Sequence, residues 1–117
     1  MTHEPQDFEG AQVVELAALV AYQPDAIVSR TLVKHIQGTL TLFAFARGQE
    51  LSEHTAPFDA LVQILDGEAS ITIDGEGQDV AEGEAILMPA NRPHALRADS
   101  QFKMLLTMIR ADEEEAA

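Results

Sequence analysis

At 117 residues the chain is long enough for one compact domain and too short for two, and 46% apolar with 23% charged residues is an ordinary globular composition. Seven basic residues against twenty acidic ones leave a net charge of −13, which argues against a nucleic-acid backbone or an anionic membrane surface as partner. The absence of cysteine excludes disulfide staples, zinc–thiolate sites and thiol catalysis.

The N-terminal stretch MTHEPQDFEG has neither the basic region nor the apolar core of a secretory signal, and no apolar run approaches the roughly 20 residues that span a bilayer, so a cytoplasmic location is expected. Val13 to Tyr22, VVELAALVAY, is apolar and fits a short helix or a buried strand. Gln23-Pro24-Asp25 then breaks the chain as a turn. From there the pattern is extended. AIVSRTLVK carries a β-branched alternation, and TLTLFAFAR from Thr39 to Arg47 is rich in Thr and Phe. ALVQIL from Ala60 to Leu65 is closed by Asp66-Gly67 and followed by EASITID and Gly75-Glu76-Gly77. QDVA, a Glu82-Gly83 turn, AILMP, HALRA and FKMLLTMIR complete the series. Turn signals at this rhythm indicate an all-β sandwich or barrel. The expected organisation is an N-terminal helix or strand segment, residues 1–26, packing on a barrel of residues 27–110, with an acidic tail at 111–117.

Two of these strands are apolar on both faces. In TLTLFAFAR, Leu40, Leu42, Ala44 and Ala46 oppose Thr39, Thr41, Phe43 and Phe45; in FKMLLTMIR, Phe102, Met104, Leu106 and Met108 oppose Lys103, Leu105, Thr107 and Ile109. A single barrel buries only its inner face, so the outer one needs a second layer or a partner subunit, and a homodimer is expected.

Two stretches carry the chemistry. GQELSEHTAPFDALVQILDG, residues 48–67, holds Gly48, His54 and Gly67; GEAILMPANRPHALRA, residues 83–98, holds Gly83, Pro89 and His94. Their spacings resemble the two sequence motifs of the cupin superfamily, and the flanking strand pattern extends the resemblance over roughly residues 27 to 110. The resemblance implies a double-stranded β-helix, or jelly-roll barrel. It also implies a metal site, because the family's His-x-His aims two imidazoles to one side of a strand, while a Glu and a later His complete the ligand set. Such mixed sites suit a divalent Fe, Mn, Ni, Cu or Zn ion and, in the family, oxygenase, isomerase or related chemistry.

The chain departs from that pattern at two of the four ligand places. The second His of the first motif is Ala56 and its Glu is Ala60; the later Gly and Asn of the second motif are Asn91 and Ala98. Direct carry-over leaves His54 and His94, and catalytic sites generally use three protein ligands. Gln63, polar in an apolar run, is the nearest candidate for a further ligand, although an odd offset from Ala60 turns it outward unless a bulge intervenes. Asp59 has the same parity problem, His35 lies on an early strand whose end reads as solvated, and His3 would chelate only with Met1 retained. Phe43, Phe45, Met88 and Met104 are the candidate pocket wall. Two readings stay open: a barrel that binds a small-molecule ligand over a reduced metal site at His54 and His94, or a metal-free ligand-binding or dimeric structural barrel. No other nucleophile constellation is present, since no Ser stands in a Gly-x-Ser-x-Gly setting.

Overall fold

The structure, a computed structural model, describes residues 7–111. Eight strands carry the fold: β1 (Ile27–His35), β2 (Gly38–Phe45), β3 (Glu50–His54), β4 (Phe58–Ile73), β5 (Glu76–Ala81), β6 (Ala85–Met88), β7 (His94–Arg97) and β8 (Phe102–Arg110). All but β3 and the mostly polar β5 occupy runs with apolar or β-branched character legible in the sequence.

One expected break is absent. Asp66-Gly67 does not separate two strands; β4 runs through it for 16 residues. The pairing with β8 shifts register between Ile64 and Asp66, which marks a bulge. Gly67 then takes φ 76°, and a Cβ there would stand 2.3 Å from the carbonyl oxygen of Gln101. The residue pair that favours a tight turn therefore serves instead to bend one strand where another backbone passes close.

That bend organises the molecule. Before it, β4 pairs with β6 and β8; after it, with β5 and β7, and every pairing is antiparallel. With β1 and β2 continuing beyond β8, and β3 beyond β7, the order runs β1-β2-β8-β4-β7-β3. One strand shared by both layers curls the sheet into a jelly-roll barrel. Its interior is filled by alternate residues of these strands, among them Phe45, Val62, Ile64, Ile71, Leu96 and Phe102. Phe45 stacks on Phe102 with ring centroids 4.5 Å apart.

The outer face of β2 and β8 is covered in part by the chain itself. Between Val13 and Tyr22 only Leu16–Leu19 is regular, a single 3₁₀ turn rather than a longer helix or a strand. It lays Leu19 and Val20 against Leu42 and Ala44, with Phe8, Val14, Leu16 and Tyr22 packed around them. The segment's carbonyls meet cations from the sheet: Arg30 donates to the Leu19 oxygen at 3.0 Å and Lys103 to that of Ala17 at 2.6 Å. The Tyr22 hydroxyl donates to Asp66 at 2.5 Å, and burial, reinforced by that carboxylate, pushes its pKa well up. The rest of this outer face is bare: Leu87 is 53% and Ile109 60% exposed. His3 and the acidic run Asp112 to Glu115 lie outside the described residues. Among the described residues no helix is long and apolar enough to cross a membrane.

Candidate functional site

The strand pair β3–β7 positions the two motif histidines. Glu50 pairs with Arg97 and Leu51 with Leu96, the register then slips, and His54 pairs with His94. Leu51 and His54 stand an odd number of residues apart, yet both face the barrel interior, because the irregularity between them resets the side-chain alternation. His54 and His94 consequently meet edge to face, ring centroids 4.4 Å apart. His94 is buried and His54 exposed at the barrel mouth.

Both rings are held the same way. The Nδ1 of His54 lies 2.9 Å from the Ser52 carbonyl and that of His94 lies 3.1 Å from the Arg92 carbonyl. A carbonyl only accepts, so each Nδ1 carries a proton, and in its neutral form each ring presents an Nε2 lone pair. Among the described residues neither Nε2 has a protein partner. Burial lowers the pKa of His94 below the ordinary imidazole value; the Arg92 carbonyl opposes this and nearby His54 adds to it. The neutral, lone-pair form of His94 is thereby favoured.

The two rings open into a cavity of about 130 Å³. Met88, Met104, Leu106 and Met108 line it together with Leu51, Leu96, Ala56, Phe58 and Ala60. Of the residues singled out in the sequence, His54, His94, Met88 and Met104 are brought together here. Phe43 and Phe45 are not in the cavity wall; they pack elsewhere in the barrel core, Phe45 against Phe102. Gln63 is turned to the exterior, since Val62 and Ile64 on either side of it are buried and the β4 bulge comes only after it. Asp59 is exposed and accepts the Ala90 N–H at 2.9 Å, fastening the β6–β7 loop to β4. His35 is exposed at the end of β1. Leu106 and Met108 share the parity of Met104 on β8, a signal that alternation alone carries; Leu51 is hidden from that signal by the β3 irregularity.

The other two ligand places of the motif lie on the same cavity. Ala56 and Ala60 line it beside His54 and His94, so all four motif places front one cavity while two of them carry only methyl groups. No group of three His, Cys, Asp or Glu side chains able to hold a metal occurs among the described residues. The donor set therefore does not fit the divalent centre of the motif. Asn91, in the second motif's Gly place, adopts φ 64°, a conformation Asn tolerates better than other non-glycine residues, so the loop survives the replacement.

Residues 41–110 match the family model described as Cupin domain. A conserved protein of unknown function from Streptococcus pyogenes is 42% identical over 95% of this chain and 97% of that one, with a TM-score of 0.86. A cupin superfamily protein from Desulfitobacterium hafniense is 31% identical over 95% and 97% of the two chains, TM-score 0.80. A cupin 2 conserved barrel domain protein from Leptotrichia buccalis is 42% identical over 80% of this chain and 46% of that one, TM-score 0.78. No curated protein matches.

Proposed function

The chain belongs to the cupin family, and we propose that it is a binding barrel, taking up a small, mostly apolar molecule whose polar end is received by His54 and His94. The observation that carries this reading is the pair of imidazole lone pairs set in an otherwise apolar wall. Such a wall supplies burial energy, and the two nitrogens orient a ligand that offers a hydrogen-bond donor. The cavity, about 130 Å³, is close to the ~150 Å³ void that takes up benzene in an engineered protein core. A single-ring or short-chain ligand with one hydroxyl or N–H group matches it.

Titration of metal-free protein with phenol and with toluene, followed by amide chemical shifts, tests this. Phenol should perturb β3, β7 and β8 at lower concentration than toluene, and His94→Leu should abolish the difference. Equal response to both in the wild type, or no response, would overturn the reading. We also propose that two copies pair through the bare outer face of β8 and its neighbours, and that the protein acts in the cytoplasm, where a cysteine-free barrel needs no oxidative folding.

A further inference from the structure

We infer that the same cavity is a site for a soft monovalent metal ion, copper(I), held by the Nε2 atoms of His54 and His94 and the thioether sulfurs of Met88 and Met108. The chain has four methionines, and three of them, Met88, Met104 and Met108, line this one cavity. Their placement relative to the missing carboxylate is specific. Ala60 is the register partner of Met88 on β6 and of Met108 on β8. Paired residues of antiparallel strands share a face, so a thioether flanks the vacated ligand place on each side. Met104 lies further along β8, level with Ile64.

Donor chemistry then selects the ion. Thioether sulfur is a soft ligand that favours copper(I) over hard divalent ions, and with no cysteine in the chain methionine is its softest donor. All four ligands are neutral. A dication among them would keep its full charge in an apolar cavity, whereas a monocation carries, by the square law of Born solvation, about a quarter of that desolvation cost. The backbone carbonyls of Ser52 and Arg92 fix the ring tautomers as the outer partners of metal-bound histidines do. Methionine also fills irregular core gaps, and leucine of similar volume fills them equally well without ligating. That difference is what the experiment reads.

The inference rests on the cavity being the functional site, but not on an organic ligand, so it is tested without one. Copper(I) is titrated anaerobically into the full chain against a chromophoric copper(I) chelator, with zinc(II) measured in parallel. One equivalent of copper(I) should bind, and zinc(II) at least ~100-fold more weakly. Met88→Leu with Met108→Leu should weaken copper(I) by at least ~10-fold. His54, His94 and Met104 remain in that variant, as do Met1, His3 and His35, so retained affinity would show that the Met88 and Met108 sulfurs do not hold the ion and would overturn the assignment. A second measurement does not depend on the variant folding: with methyl-labelled methionine, silver(I) at one equivalent should shift the Met88 and Met108 methyl signals most. Shifts confined to Met1, or zinc(II) binding as tight as copper(I), would overturn the proposal as well.

Discussion

His54 and His94 are register partners across β3–β7, and their rings meet edge to face with centroids 4.4 Å apart. The approach ties the site to pH. His94 has its pKa lowered by burial from the ordinary value of 6.5, so below that value the unfolded chain takes up a proton that the folded chain resists. Its contribution to stability is therefore complete above the unfolded value and is lost as pH falls toward the folded one. The urea midpoint of the wild type should fall between about pH 7.5 and about pH 5.5, and His94→Gln should reduce that fall. Equal slopes for the two proteins would show that His94 is not the group responsible.

Restoring the two missing donors should change which ions the site accepts. Ala56 and Ala60 already line the cavity beside the histidines, so Ala56→His with Ala60→Glu supplies a third imidazole and a carboxylate at the family's own places. Zinc(II) or manganese(II) should then bind with one-to-one stoichiometry, at least ~100-fold tighter than to the wild type. Calorimetry of both proteins measures this, and an unchanged affinity would mean that these positions do not converge.

The bend in β4 can be weighed against a glycine of similar conformation. Gly67 and Gly75 have φ of 76° and 82°, but only at Gly67 would a Cβ meet backbone, 2.3 Å from the Gln101 oxygen. Gly75→Ala should cost about 1 kcal/mol from backbone strain alone, and Gly67→Ala at least ~2 kcal/mol. Chemical denaturation separates strain from collision; equal costs would remove the collision from the account.

Leu19 tests the N-terminal cover. It is fully buried against Leu42 and Ala44, whereas Val13 is 99% exposed. Leu19→Ala should destabilise by about 2–4 kcal/mol and Val13→Ala by less than ~0.5 kcal/mol. Comparable small effects from both, by thermal or urea unfolding, would mean that the segment does not cover the sheet as a packed layer.

How far the sequence carried these conclusions differs from strand to strand. Strands β1, β2 and β8 were legible because β1 is a β-branched alternation following a turn, and β2 and β8 are long runs rich in apolar residues. β3, with the sequence ELSEH, has little apolar alternation because its register slips midway, so only the motif spacing pointed to it. The Asp66-Gly67 pair was ambiguous in principle: a positive-φ glycine serves a hairpin or a bulge, and what passes beside it is a tertiary fact. Gln63, the further ligand that the sequence suggested, faces outward, because the β4 bulge that could have turned it inward comes only after it; the histidines were legible from spacing. The flanking of Ala60 by Met88 and Met108 was not, since it depends on the register of three strands distant in sequence.

The bare outer face sets a last expectation, in which two forces oppose each other. Val33, Leu40, Thr107, Leu61 and Leu87 are successive register partners across β1, β2, β8, β4 and β6, and Ile109 lies beside them, 60% exposed. A row of that width favours pairing with a second copy, while a net charge of −13 on each chain opposes it. Added salt screens the repulsion and leaves apolar contact intact, with a screening length of about 10 Å at 0.1 M. Self-association measured by analytical ultracentrifugation should therefore strengthen as sodium chloride is raised, the reverse of a salt-bridged interface. Ile109→Asp should abolish it at every salt concentration, and a wild-type monomer at micromolar concentration in high salt would dispose of the dimer.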